Sequence, residues 1–150
     1  MRAFVVAGAG FLLAVLWFDL MFDVQALRKR SGELSEGARS SIAGYYRRVT
    51  TDARPMNRLV AAAMLWTLAT VVIGLVRAED PAWVWWLSLA LVVTAVGVAA
   101  VRTVPHAVRL GARTDPEAQQ DALARSIGRD HLFCFAAIAA LLITQLAFGN

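Results

Sequence analysis

AFVVAGAGFLLAVLWFDLMFDVQAL, residues Ala3 to Leu27, is the stretch that decides the fold, because it is apolar over the length of a membrane-spanning helix. A helix needs about 20 consecutive, mostly apolar residues to cross the hydrocarbon core of a bilayer. Asp19 and Asp23 are the only charged residues in this stretch. The apolar run is longer than the roughly 7–15 residues of a signal-peptide core, so we predict a span rather than a signal peptide.

Three further apolar stretches of similar length follow, and we predict four spans in a single domain of residues 1–150. The predicted spans cover about residues 3–27, 56–76, 82–104 and 131–148. Hydrophobic residues make up 59% of the chain and charged residues 17%, against about 45–50% and about 25% in soluble domains. The sequence therefore predicts an all-α fold, an integral membrane four-helix bundle.

The basic residues are concentrated in two of the three connections. All 15 Lys and Arg residues except Arg2 and Arg77 lie in or beside the segments that join spans one to two and three to four. Cytoplasmic loops carry such an excess, so we predict a multi-pass protein of the cell membrane with both termini non-cytoplasmic. Because this distribution accounts for the net charge of +4 and no recognition motif accompanies it, we do not expect nucleic acid as a partner. Lys29 is the only lysine, a bias typical of GC-rich coding, and we expect a bacterial inner membrane.

Both predicted cytoplasmic loops contain apolar residues at helical spacing, which indicates amphipathic helical segments. In the first loop the repeat consists of Leu34, Ala38, Ile42, Tyr45 and Val49. In the second, Thr114 and Glu117 match a capping box, and the helix that follows is expected to continue through Gly128 into span four. The two halves of the chain, each a span, a loop helix and a span, are also compatible with a parallel repeat.

Asp19 and Asp23 are the most informative polar residues because they lie within a span. Their spacing of four places both on one face of the helix. An aspartate at the centre of a span costs about 2.5–3.5 kcal/mol on the insertion scale, so we expect Asp19, the deeper of the two, to face the bundle interior or a water-filled cavity and to have a partner there. Asp23 lies near the predicted inner interface, where simple solvation is an alternative.

The predicted threading brings other polar residues to the same depth. They are Asn57 and Arg58 at the start of span two, Arg102 and His106 at the end of span three, and His131 at the start of span four. We expect Asp19 and His131 to act as an acid–base pair. Asp23, Asn57, Arg58, Arg102 and His106 are the predicted substrate-binding residues, with Arg58 or Arg102 holding an anionic group or pairing with Asp19.

The sequence names no cofactor. Two carboxylates and two histidines are ligand types that iron, manganese or zinc accept, but they lie on different predicted helices and no compact metal motif such as HExxH is present. We therefore predict no metal site. Cys134 is the only cysteine, which excludes an intramolecular disulfide bond.

The run from Val104 to Leu110, VPHAVRL, followed by ALARSIGRDH from Ala122 to His131 and an apolar last span, resembles the anthrone-oxygenase-like family of small four-span membrane proteins. The resemblance implies the same threading, a Val-Pro turn after span three and a polar entry to span four. It also implies that His106 and His131 are candidate acid–base groups. The chain departs from the family pattern at His106, where an asparagine is expected soon after the proline.

Three hypotheses about function remain open from the sequence. The first is a membrane protein that binds or converts a lipophilic substrate in an Asp, Arg and His pocket at the cytoplasmic leaflet. The second is a non-catalytic accessory or scaffold subunit of a larger membrane complex. The third is a proton-coupled transporter with Asp19 as the proton carrier. The partners they imply are membrane lipid, a lipophilic small molecule, and a homo-oligomer or a larger membrane complex.

Overall fold

The computed structural model describes residues 1–29, 32–79 and 81–148, without the side chain of Arg54, and these residues form helices and connections with no strand. The helices are α1 Arg2–Leu27, α2 Glu36–Arg47, α3 Arg54–Val76, α4 Ala82–Val98, α5 Val104–Ala112 and α6 Glu117–Ala147. Two π-helical turns, Arg48–Asp52 and Ala99–Thr103, follow α2 and join α4 to α5. Arg30, which contributes to the predicted basic loop, lies outside the described residues.

Four helices are long and apolar enough to cross a membrane, as predicted. They cover Arg2–Leu27, Pro55–Val76, Ala82–Ala112 and Glu117–Ala147. In the bundle α1 packs against α3 and α6, and α4 packs against the same two helices. The four therefore form a ring in the order α1, α3, α4 and α6.

The chain termini lie at the same end of the bundle as the short turn between α3 and α4. The amino group of Met1 is 3.5 Å from a carboxylate oxygen of Glu79, and the rings of Trp83 and Phe148 are 5.2 Å apart. This arrangement matches the predicted threading, in which the two basic connections share the opposite end.

The third span does not end at the Val-Pro turn that the resemblance implies, and the helix continues past the predicted end at residue 104. Pro105 and His106 belong to α5, which continues the axis of α4 through the π-helical turn Ala99–Thr103. Pro105 lies in the first turn of α5, directly after the π-helical turn, at a position where helices tolerate proline. The wider preceding turn thus lets the span continue to Ala112.

The fourth span begins earlier than predicted and without the predicted capping box. Pro116 is the N-cap of α6, and no side chain caps its first turn. The carboxylate of Glu117 instead lies 2.9 Å from the guanidinium of Arg39, because tertiary packing brings that cation within reach. The helix runs without interruption through Gly128, as predicted.

Residues 34–52, 104–112 and 117–127 form a helical layer that we call the cap. Within the cap α2 crosses α5 closely: a Cβ on Gly111 would lie 2.8 Å from the backbone nitrogen of Arg47. The buried guanidinium of Arg39 lies 3.0 Å from Asp121, and the Leu34 N–H donates to the same carboxylate at 2.8 Å. These contacts fix the start of α2 against α6.

The buried apolar residues form two separate cores. The first lies within the four-helix ring and includes Val5, Val71, Trp85 and Leu141. The second lies in the cap and consists of Ala26, Leu34, Ile42, Ala43, Tyr46, Ala107, Leu110, Leu123, Ala124 and Ile127. Polar side chains toward the C-terminal end of α1 lie between the two cores.

Candidate functional site

Five polar side chains from three helices meet between the two cores, and we call them the polar cluster. They are Asp19 and Asp23 of α1, Tyr45 and Tyr46 of α2, and His131 of α6. Asp19 and Asp23 share a face of α1 because they lie one helical turn apart, and α2 crosses that face with its two consecutive tyrosines. The predicted proximity of Asp19, Asp23 and His131 is present in the structure.

Asp23 is the fully buried centre of one half of the cluster. Its Oδ1 accepts a hydrogen bond from the Tyr46 hydroxyl at 2.6 Å, and its Oδ2 lies 2.7 Å from Nδ1 of His131. Because a carboxylate accepts hydrogen bonds, we assign the Nδ1 proton to His131 as the donor in this pair. Asp23 thereby orients the imidazole and leaves Nε2 on its opposite side.

Asp19 forms the other half of the cluster. Its Oδ1 accepts a hydrogen bond from the Tyr45 hydroxyl at 2.6 Å. Its Oδ2 lies 3.7 Å from Nε2 of His131, too far for a direct hydrogen bond. Phe22 stacks on the Tyr45 ring at 4.0 Å with an interplanar angle of 9°, which holds the phenol in place. The imidazole of His131 thus lies between two carboxylates. That of Asp23 is hydrogen-bonded to it, and that of Asp19 is 3.7 Å away.

The two tyrosines act as hydrogen-bond donors to the carboxylates. Burial, followed by the neighbouring charge of Asp19, raises the pKa of Tyr45 above its ordinary value. Burial, followed by the charge of Asp23, raises the pKa of Tyr46 well above its ordinary value. Both phenols therefore keep their protons at neutral pH and supply each carboxylate with one donor.

A cavity of about 540 Å³ opens beside the polar cluster. Helices α1 and α3 touch where a Cβ on Gly8 would overlap the hydroxyl of Thr67, and that hydroxyl is fixed by donating to the Ala63 carbonyl at 2.8 Å. On α1 the lining residues run from Phe11 to Phe22, which lie beyond this contact toward the cap. We call the space the wedge cavity.

The wedge cavity is apolar along its length and polar at the cap end. Aliphatic and aromatic side chains form most of its wall, among them Leu16, Val60, Met64 and Ile138. Asp19, Tyr45, Tyr46, Thr50, Asn57, Thr103 and His131 supply polar atoms. Such a shape, with a few convergent polar groups in an apolar cleft, is typical of a small-molecule site.

The predicted substrate-binding residues do not all meet at this cavity. Asn57 lines it. Asp23 is completely buried behind His131 and does not line it, so its position suits orientation of the imidazole rather than contact with a ligand.

The predicted arginines and His106 lie elsewhere. Arg102 is 3.2 Å from Asp130, and the exposed Arg58 lines a separate surface depression with Thr51 and Val108. The side chains next to Asp19 are therefore Tyr45 and His131 instead of Arg58 or Arg102. Nδ1 of His106 is buried without a hydrogen-bond partner among the described residues, and His106 does not line the wedge cavity.

Tyr45 and Tyr46 are functional-site residues that the sequence reasoning missed. The sequence pattern places Tyr45 on the apolar face of a loop helix, and it gives no reason to expect Tyr46 at a site. The only available signal is that two adjacent tyrosines lie in α2, which a short connection joins to the helix that carries the two aspartates. Arg39 and Asp121 were likewise not predicted to pair, because they lie far apart in the sequence.

The arrangement can exchange a proton with a molecule in the wedge cavity. His131 Nε2 and Asp19 Oδ2 both face the gap of 3.7 Å, where a ligand hydroxyl or amine could bind to both atoms. No group of three or more His, Cys, Asp and Glu side chains in the described part of the chain is arranged to hold a metal ion.

Comparison of the chain with protein-family models, curated proteins and solved structures finds no match.

Proposed function

We propose that the protein binds a lipophilic small molecule in the wedge cavity, with its polar group at Asp19 and His131. The observation that carries this proposal is the continuity of a largely apolar cavity of about 540 Å³ with a buried cluster of hydrogen-bonding groups at one end. An apolar tail lying between α1 and α3 would avoid water, and the polar group would find partners at the cap end.

Asp19 and His131 are the proposed acid–base pair. Asp23 bonds to Nδ1 of His131 and so leaves Nε2 available to accept a proton from a ligand. Asp19 would carry the complementary charge or receive the proton, and the Tyr45 hydroxyl would support its carboxylate. This geometry is suited to general acid–base chemistry, in which the reacting proton must lie within hydrogen-bond reach of both groups.

The orientation of the chain in the cell membrane is part of the same proposal. Arg28, Arg47, Arg109 and Arg125 lie at the end of the bundle that carries the cap, and the positive-inside rule places such an end in the cytoplasm. The wedge cavity would then open at the cytoplasmic leaflet, and both termini would be non-cytoplasmic.

Photolabelling with an alkyl diazirine tests the cavity proposal. The purified chain in uncharged detergent is labelled and the modified residues are mapped by mass spectrometry, in wild type, Ala61→Phe and Ala62→Phe. Both alanines are exposed on α3, but Ala61 lines the wedge cavity and Ala62 does not. We expect labelling of Asp19 in wild type and Ala62→Phe, and strongly reduced labelling of Asp19 in Ala61→Phe.

Equal labelling of Asp19 in the two phenylalanine variants would contradict the proposal. If such a protein also co-purified with one larger membrane complex, the scaffold hypothesis would be favoured instead.

Proton-coupled transport is a second candidate, favoured by the placement of one imidazole between two carboxylates within a span. Intramembrane ionisable groups of this kind form proton pathways in transporters. Proteoliposomes under an imposed pH gradient would then accumulate the ligand, and Asp19→Asn would abolish accumulation. Absence of gradient-driven uptake in the wild-type protein would exclude this candidate.

A further inference from the structure

The charges around the wedge cavity indicate which polar group it accepts. Asp19 and Asp23 carry two negative charges when ionised, and a protonated His131 balances one of them. The described lining of the cavity contains no lysine or arginine, and the nearest anion beyond the cluster, Asp130, has its own partner in Arg102 at 3.2 Å. With both carboxylates ionised and His131 protonated, the polar cluster has one net negative charge.

Aromatic side chains form part of the cavity wall, and two of them, Tyr45 and Phe22, lie at the polar cluster. Phe11, Phe18, Phe22 and Tyr45 all line the cavity, and the faces of such rings attract cations through their quadrupoles. An anionic group would add a third negative charge beside two carboxylates and a single imidazole, so a carboxylate or a phosphate is disfavoured at this position. A cation would interact favourably with both the carboxylate of Asp19 and the aromatic rings.

We infer that the wedge cavity selects an amphiphile that carries a protonated amine. This inference rests on the proposed function and adds the chemical class of the ligand. The ammonium group would donate to Asp19 Oδ2 and lie next to the aromatic walls, with its apolar tail between α1 and α3. Asp19 is thus the residue that determines specificity, whereas Asp23 acts through His131.

Three amphiphiles with the same tail distinguish the possible head groups. Dodecylamine, dodecanol and dodecanoate are added separately to the full chain in uncharged detergent at neutral pH, and the retained molecules are counted by native mass spectrometry. We expect the amine to be retained most and dodecanoate least. Asp19→Asn should weaken amine retention by roughly tenfold, the size expected for one charge-assisted hydrogen bond, and should leave dodecanol retention nearly unchanged.

Asp52→Asn is the matched control, because Asp52 is exposed and lies outside the cavity lining. Equal loss of amine retention in Asp19→Asn and Asp52→Asn would overturn the inference. Preferential retention of dodecanol or dodecanoate by the wild-type chain would also overturn it, whether or not Asp19→Asn folds, and would leave the proposed cavity intact. Failure to retain any of the three would overturn the proposed function as well.

Discussion

At the scale of single residues, the polar cluster separates a supporting half from an accessible half. Asp23 and Tyr46 are buried together with the ring of His131, and each has a direct hydrogen-bonding partner. Asp19 and Tyr45 are only partly buried and line the wedge cavity. Tyr46 and His131 also reach the cavity wall but are themselves buried. Substitutions of Asp23 or Tyr46 should therefore lower the free energy of unfolding more than substitutions of Asp19 or Tyr45 do.

Tyr46→Phe tests this separation. Removing the hydroxyl leaves Oδ1 of Asp23 without its donor in a fully buried position, and an unsatisfied buried polar group costs about 1–3 kcal/mol. We expect the free energy of unfolding to fall by this amount when it is measured by denaturant titration in mixed micelles. Tyr45→Phe is the control and should cost less, because Asp19 is partly accessible; a larger loss for Tyr45→Phe would contradict the assignment.

At the scale of helices, the sequence predicted the four long apolar helices because each is an apolar run long enough to cross a bilayer. It also placed Asp19, Asp23 and His131 at one depth, since depth follows from position along a span. It did not predict which way each helix faces. The rotation of α2, which brings Tyr45 and Tyr46 onto α1, depends on its packing against α5 and α6. For the same reason the pairing of Arg102 with Asp130 was missed.

The crossing of α2 and α5 gives a prediction at this scale. A methyl group at Gly111 would lie 2.8 Å from the nitrogen and 2.9 Å from the Cα of Arg47. Because a backbone cannot turn aside as a side chain can, we expect Gly111→Ala to lower the free energy of unfolding by about 1–3 kcal/mol. A Cβ on Gly44 of α2 would meet no atom within 4 Å, so Gly44→Ala should stabilise by up to about 1 kcal/mol.

The same denaturant titration measures both alanine variants. If Gly111→Ala were as stable as Gly44→Ala, α2 and α5 would not cross as closely as the structure has them. The cap would then be a looser layer than its contacts indicate.

At the scale of the whole molecule, the bundle has two chemically different ends. The end with the termini has the contact between the Met1 amino group and Glu79 and, deeper, the buried hydrogen bond from Gln145 to Ser88 at 2.8 Å. The other end carries the cap, with the Arg39–Asp121 ion pair and a second pair between Arg113 and Glu36. The hydrogen bond from Arg113 lowers the pKa of Glu36, so this pair is present at neutral pH and is lost as the pH falls through that pKa.

The proposed orientation can be tested by labelling single cysteines. In a Cys134→Ala background, Ser40→Cys places a thiol on the exposed surface of α2 and Ala82→Cys places one at the start of α4, near the opposite end. We expect an impermeant maleimide to label position 82 in right-side-out vesicles and position 40 in inside-out vesicles. Both should react after permeabilisation with detergent, and the reverse pattern would place the cap outside the cytoplasm.

The distance over which α1 lines the wedge cavity limits the length of the apolar chain that fits there. The cavity wall on α1 runs from Phe11 to Phe22, a distance of about 16 Å at 1.5 Å per residue, and it ends about one helical turn from the close contact between Gly8 and Thr67. Phe18 and Leu59 are exposed on the flank of this wall. A homologous series of amphiphiles should bind more tightly with each added methylene until the chain reaches that contact. Longer chains must leave sideways into the surrounding lipid, and further methylenes should then add little affinity.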